Sequence, residues 1–188
     1  MRRVFTAIDI SEDIRRMAGL YIDGLRGEFP KHRVRWESCG KLHLTVRFIG
    51  DINDKQLETV IKIMDRVVEP IHSFQLTIEG TGVFPSVRKP RILWLGVEDE
   101  NGSVDRLKKS IEAELENAGF PGEKRLLKPH LTIARINETG IAAAALASKH
   151  RESHIEPVAF DVSQITVYES KLLPAGSVYS VISRHRLQ

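Results

Sequence analysis

Two short segments of this 188-residue chain repeat one pattern of side chains that can do chemistry. Lys41-Leu42-His43-Leu44-Thr45-Val46-Arg47 and Lys128-Pro129-His130-Leu131-Thr132-Ile133-Ala134 each hold His, apolar, Thr, apolar. In an extended chain, side chains alternate between faces, so the His and Thr of each copy point the same way. Leu44 and Val46, like Leu131 and Ile133, point the opposite way, into a core. Each strand should therefore present one imidazole and one hydroxyl from an anchored backbone, which holds reacting groups more tightly than a loop does. With 8 Thr, 7 His and 41% apolar residues, two such copies arise by accident in roughly one sequence in a thousand of this composition, so the pair is a signal to build on.

Two imidazoles and two hydroxyls suit one task well. Imidazole titrates near neutrality, so one ring can be free to accept a proton while the other is charged and gives one up. Hydrolysis of a phosphodiester needs both roles: a base for the attacking water and, in line on the far side, an acid for the departing alkoxide. Thr45 and Thr132 can donate to the non-bridging phosphate oxygens between the rings. No carboxylate cluster or multi-His spacing suggests a resident metal, and the expectation is that no cofactor is needed. Arg47 shares the strand parity of His43 and Thr45, which makes it a candidate phosphate ligand.

Elements to position these residues can be read along the chain. Val4 to Ile10 is a strand. Ser11 caps a helix with Glu12 and Asp13 in its first turn and an apolar stripe from Ile14 to Leu25. The first His strand runs from about Leu42 to Ile49. A helix follows from Asn53 or Asp54, then an alternating strand from Phe74 to Ile78 that Gly80-Thr81-Gly82 and Pro85 should break. Ile92 to Val97 reads as a buried strand, and Val104 to Ala118 as a helix ended by Gly119 and Pro121. The second His strand, Leu131 to Ile136, precedes an alanine-rich helix over about Gly140 to Arg151. Two closing strands span about Val158 to Tyr168 and Val178 to Ser183. This order lacks strict βαβ alternation and implies an α+β protein with mostly antiparallel sheets. Strand, helix and His strand occur in residues 3–49 and again in 91–136, which hints at two similar lobes facing each other.

Here the sequence resembles the 2H phosphoesterase superfamily, with paired His-x-Thr-x motifs, and within it the RNA 2′,3′-cyclic phosphodiesterases, also called 2′-5′ RNA ligases. The likeness extends over nearly the whole chain: Arg3 to Asp9, Trp36, Leu42 to Gly50, Val83-Phe84-Pro85, Pro90 to Val97, Pro129 to Arg135, and the closing Ser170, Leu172, Gly176 and Tyr179. The resemblance implies one domain over residues 1–188, made of two similar lobes related by a pseudo-two-fold axis around a central cleft. It implies that His43 donates a proton to the leaving ribose oxygen and that His130 accepts one from water. The implied reaction opens an RNA 2′,3′-cyclic phosphate to a 2′-phosphomonoester, and some relatives also join 2′-5′ ends without ATP. Fittingly, no Walker-type phosphate loop is found. In the family an arginine five residues after the second His contacts phosphate, and Arg135 holds that place. Strict alternation puts Arg135 on the wrong face, so either the strand bulges or ends there, or the long side chain curls around an edge; the alternative role for Arg135 is a surface salt bridge. The implied partner is RNA with cyclic phosphate ends, tRNA-like fragments among them, bound by a monomer with no obligate protein partner.

The rest of the chain bounds these readings. A net charge of +3 and a pI near 9.1 are compatible with a phosphate-bearing partner but exclude a DNA-packaging or polybasic membrane role. The single Cys39 excludes an internal disulfide and a multi-Cys zinc site; together with the lack of a long apolar run or leader pattern, this suggests a cytoplasmic protein. Cys39 reads as a structural or semi-exposed thiol. Phe84 either stacks on a base or joins the core. Lys124, Arg125 and Lys128, with Arg88, Lys89 and Arg91, form either basic rims for an RNA backbone or an ordinary solvated surface. His150 and His154 lack a third metal ligand, while His32, His72 and His185 read as surface or capping residues. Two alternatives to an RNA-end hydrolase stay open: a non-catalytic RNA-end-binding protein, and a 2H enzyme of small cyclic nucleotides.

Overall fold

Apolar spacing, with capping at three of them, sets the four α-helices among the described residues. A computed structural model describes residues 1–30, 33–123, 127–174 and 176–188. In α1 (Glu12–Glu28) the Ser11 side chain accepts from the Ile14 N–H, and Ile14, Ala18, Ile22 and Leu25 are buried at helical spacing. In α2 (Asp54–Val68) Asn53 and Gln56 close a reciprocal capping box, with Val60, Ile63, Met64, Val67 and Val68 inward. Asp99 receives the Ser103 and Val104 N–H groups at the start of α3 (Ser103–Asn117). The fourth helix, α4 (Ile141–Glu152), buries Ala143, Leu146, Ala147 and His150.

The strands are β1 (Arg2–Asp9), β2 (Val34–Trp36), β3 (His43–Ile52), β4 (Phe74–Ser86), β5 (Lys89–Glu98), β6 (His130–Ile136), β7 (Val158–Val162), β8 (Gln164–Leu173) and β9 (Gly176–Arg186). Every pairing is antiparallel. Their order is β7-β4-β5-β6-β3-β1-β8-β9, with β2 added on β6. The fold is the expected α+β arrangement of two antiparallel halves. One detail differs: the halves are not separate sheets, because β3 and β6 join them into a single curled sheet through one pair, Leu44 opposite Leu131.

The internal repeat is real. In both copies the leading strand pairs with the His strand, β1 with β3 and β5 with β6. The helices, however, are exchanged. From the first copy, α1 packs on α4, with Tyr21 to His150 at 2.7 Å and Lys149 to Glu28 at 3.2 Å. From the second copy, α3 reaches β3 through the Arg47–Glu112 ion pair. This exchange binds the two copies under one core that includes Leu44, Val46, Leu131 and Ile133.

Two expectations about strands are corrected, and one strand is added. The strand begun at Phe74 is not broken by Gly80-Thr81-Gly82; it continues to Ser86 because a register shift between Ile78 and Thr81 absorbs the irregularity, with Gly80 at φ 74°. The stretch from Val158 to Tyr168 is two strands meeting at Ser163, where the chain leaves β4 at one edge for β1 in the other half. The short β2 carries no strand signal of its own and exists because β6 offers it a partner. His185 is also not a surface residue. It is 3% exposed, and its Nδ1 and Nε2 lie 2.6 Å from Asp65 and 2.8 Å from the Ser183 hydroxyl, tying β9 to α2.

Candidate active site

The two His strands present their polar residues on the sheet face away from the helices. Leu44, Val46, Leu131 and Ile133 are at most 1% exposed on the helix side, whereas His43, Thr45, His130 and Thr132 are half-buried on the other. The Leu44–Leu131 pair sets the register between the copies. In an antiparallel ladder it brings His43 alongside Thr132 and Thr45 alongside His130, with the two imidazoles on a diagonal. Four of the residues expected from sequence are thus brought together.

Each imidazole is aimed by the backbone beside it. His43 Nδ1 lies 2.7 Å from the Lys41 carbonyl, and His130 Nδ1 lies 2.6 Å from the Lys128 carbonyl. A carbonyl only accepts, so Nδ1 carries the proton in both rings and Nε2 is the atom left to take or give one. Orientation and tautomer are fixed together.

The surroundings of the rings differ. His43 stands among Phe5, Tyr168 and Tyr179, with centroids 5.0, 6.1 and 5.2 Å away. Burial pushes its imidazole below the usual range; the Lys41 carbonyl and the Asp9 and Glu37 carboxylates oppose that push, and Arg15 adds to it. His130 packs against Phe84 at 5.2 Å and Trp94 at 5.9 Å, with the Lys128 ammonium 4.5 Å from the Trp94 ring. Burial lowers His130 as well, but the charges near it are cationic: Arg135 and Lys128 reinforce the fall, with only the Lys128 carbonyl opposing. Phe84, half-buried, packs on Trp94 and walls the His130 ring.

A bulge decides where the two candidate arginines go. On β6, Thr132 pairs with Trp94 but Ala134 with Leu93, which leaves Ile133 as an extra residue. On β3, Thr45 pairs with Ala7 but Arg47 with Thr6, which leaves Val46 extra. The irregularity falls three residues after the His in both strands and inverts the parity beyond it. Arg135 therefore returns to the His130 face, the bulge being the resolution of its apparent misplacement. It is 41% exposed, and its Nε is 3.5 Å from Glu37. Arg47, by the same inversion, does not join the site. It turns to the helix side, 5% exposed, with Nε 2.5 Å from Glu112 and Nη2 2.5 Å from the Pro121 carbonyl.

Several residues of this site carry no motif. Trp94 supports His130 and can do so because its ring covers Gly82, where a Cβ would come within 1.8 Å of it. Beneath, the buried His150 spans the two strands: its Nε2 is 3.1 Å from both the Gly82 and Trp94 carbonyls, and its Nδ1 faces the Tyr21 hydroxyl. Burial lowers its pKa to about 4, which keeps it neutral. Near His43, Asp9 accepts from Thr166 at 2.8 Å and Tyr168 at 2.5 Å. The only sequence sign of Tyr179 was its place in the closing pattern. Cys39 is half-buried, its sulfur set against α1 at Gly19.

Arg88, Lys89 and Arg91 are exposed around the β4–β5 turn, while Lys124, Arg125 and His32 lie outside the described residues. Among the described residues no three His, Cys, Asp or Glu side chains are grouped to hold a metal, and no helix is long and apolar enough to cross a membrane.

Known proteins resemble this chain in sequence and in fold. A family model described as LigT-like phosphoesterase matches the chain twice, over residues 8–94 and 95–179, each stretch taking in one His strand. An RNA 2′,3′-cyclic phosphodiesterase of Thermotoga maritima is 31% identical over 96% of this chain and 92% of its own. A protein of the same name from Methanothermobacter thermautotrophicus is 29% identical over 98% of each. Among solved structures, a Thermus thermophilus protein aligns with a TM-score of 0.79 at 24% identity, over 98% of this chain and 97% of that one. Escherichia coli LigT complexed with 3′-AMP aligns at 0.75 and 22%, over 99% and 98%. At such identities these two structures speak for the fold.

Proposed function

The chain belongs to the LigT-like phosphoesterase family, and from that premise we propose that it hydrolyses RNA 2′,3′-cyclic phosphate ends to 2′-phosphomonoesters by two-histidine acid–base catalysis. The observation that carries this reading is the pair of imidazoles on one sheet face, each with Nδ1 tied to a carbonyl and Nε2 left for proton transfer. His130, beside Arg135 and Lys128, is the ring favoured as neutral and takes a proton from water. Burial favours the neutral form of both rings, but Asp9 and Glu37 oppose it at His43 whereas Arg135 and Lys128 reinforce it at His130; in this reading His43 is the ring that gives a proton to the ribose 3′-oxygen. The water oxygen bonds to phosphorus as the P–O3′ bond breaks; the proton gained by His130 balances the one lost by His43. Thr45, Thr132 and Arg135 hold the non-bridging oxygens.

An RNA 5′-hydroxyl in the place of water yields a 2′-5′ linkage by the same steps. The energy comes from the strained cyclic ester, so ligation needs no ATP. The scheme routes no step through a metal. In this reading the protein is a cytoplasmic monomer acting on RNA ends, with tRNA-like fragments among its substrates.

The test is an RNA ending in a 2′,3′-cyclic phosphate, incubated with EDTA, followed by assignment of the hydroxyl that keeps the phosphate. A 2′-phosphate product is expected. Tight binding without turnover over hours overturns the enzymatic reading in favour of an RNA-end-binding protein. Turnover of mononucleotides far above that of oligonucleotides overturns RNA as the substrate.

A further inference from the structure

The two catalytic strands are close to copies, so something outside their shared motif must give the histidines opposite roles. The register isolates one position. The residue paired with His43 on β1 is Asp9, and the residue paired with His130 on β5 is Gly96. These are equivalent places in the repeat, the neighbour of each His on the strand that leads its copy. One carries a carboxylate and the other carries nothing.

We propose that Asp9 is a positioning residue that holds His43 in its proton-donating form, and that the Asp9/Gly96 difference is what assigns acid and base between the repeats. The inference rests on the two-histidine reading above. Asp9 is half-buried, and its oxygens are gripped by the Thr166 and Tyr168 hydroxyls at 2.8 and 2.5 Å. Both donors are neutral, so they fix the carboxylate beside His43 without cancelling its charge. Gly96 cannot be given the same group, because a Cβ there would lie 2.2 Å from the Glu79 carbonyl oxygen. The asymmetry is therefore built into the backbone.

Other groups facing His43 do not replace Asp9. Glu37, ahead of the 3-10 turn Cys39–Lys41, already lies between Arg135 at 3.5 Å and Arg35 at 4.0 Å. Arg15 on α1 acts against the imidazolium while donating to the Cys39 and Leu42 carbonyls. Lys41 contributes its carbonyl. Tyr168 on β8 and Tyr179 on β9 offer rings, and burial with the adjacent carboxylate keeps the Tyr168 phenol protonated far above neutrality. Among the described residues, Asp9 is the carboxylate that meets His43 with no cation paired to it.

The test is NMR titration of both imidazoles, together with the pH dependence of kcat/KM, in the full chain and in Asp9→Asn. Losing an opposite charge at close range is expected to lower the His43 midpoint by about 1 pH unit or more and leave His130 in place. The alkaline limb of the rate profile then moves down by the same amount. Activity above that limb falls roughly tenfold while activity on the acid side is kept, and Asp9→Glu restores most of it. A folded Asp9→Asn protein with an unmoved His43 midpoint overturns the proposal, as does a moved midpoint with an unmoved rate profile. Tyr168→Phe serves as a second variant should Asp9→Asn not fold. It leaves the carboxylate with one donor fewer and its charge less dispersed, so the His43 midpoint should rise; no change or a fall overturns the proposal. The imidazole titrations are read without substrate, so they stand even where no cyclic phosphate is turned over, and a failure of the reaction reading is told apart from a failure of this one.

Discussion

His43 and His130 are set in backbones that match closely. Each ring donates Nδ1–H to the carbonyl two residues earlier, at 2.7 and 2.6 Å, and each strand carries an extra residue three places on. The walls around them do not match. His43 has a carboxylate across the ladder and three aromatic rings, while His130 has a glycine across the ladder, a lysine over tryptophan, and an arginine. In the proposed mechanism the duplicated backbone supplies aim, and the unmatched walls supply direction of proton flow. A symmetric pair of imidazoles would have no reason to favour one in-line sense over the other; electrostatics of neighbouring groups gives it one.

The sharpest way to break this comparison is to remove each ring in turn. His43→Ala and His130→Ala should each lower turnover of cyclic-phosphate RNA by about 10²–10⁴-fold, the usual worth of a positioned acid or base. The two losses should look alike on RNA and differ on an activated ester. With 4-nitrophenol as leaving group no acid is needed, so His43→Ala should regain most of its rate on such a phosphodiester while His130→Ala should not. Equal recovery of both variants, or recovery of His130→Ala alone, removes the division of roles.

The second contrast is between Arg47 and Ala134, which follow the bulge in each copy and face the helices. Arg47 is held by Glu112, the Phe48 carbonyl and the Pro121 carbonyl, and the Glu112 side chain is only 17% exposed. Arg47→Met takes the arginine from that half-buried carboxylate and leaves it the Glu123 N–H as a donor, so it should destabilise the fold by about 3 kcal/mol, the low end for a broken buried pair. Thermal or urea unfolding should show the loss, and kcat/KM per folded molecule should stay near wild type. A stable variant that binds phosphate poorly returns Arg47 to the cleft.

The same pair marks how far the sequence could be read. The His-apolar-Thr strands needed only period-2 alternation, a local rule, and the helices around Ser11 and Asn53 followed from caps and stripes. What lay beyond reach was whatever depends on a partner strand. The bulges at Val46 and Ile133 arise between strands, so parity placed Arg47 with His43 and left two explanations open for Arg135. The pairing of Asp9 with His43 and the setting of His150 beneath Trp94 join residues 34 and 56 positions apart, and no local pattern names them. The turn from β7 to β8 at Ser163 uses neither Gly nor Pro and left no mark. Glu37 was equally silent, a lone carboxylate until β2 and β6 carried it to Arg135.

The smallest expected effect concerns the fifth residue after each His, where the bulge returns the chain to the cleft face. That residue is Phe48 in one copy, 52% exposed and 5.7 Å from Phe5, and Arg135 in the other. If the phosphate is held from the His130 side alone, the two equivalent places should respond unequally. Arg135→Gln removes a charge-assisted contact worth about 1.5–3 kcal/mol, a fall of roughly 10–150-fold in kcat/KM by that measure. Arg135→Lys should recover part of it, because it keeps the charge but loses the planar fork. Phe48→Leu keeps an apolar side chain and touches no phosphate contact, so it should change kcat/KM by less than about 5-fold, a packing-level effect. Steady-state kinetics on one cyclic-phosphate substrate measures all three. Matched losses at positions 48 and 135 mean that phosphate is gripped from both lobes, and the cationic wall beside His130 then loses its distinct part in binding.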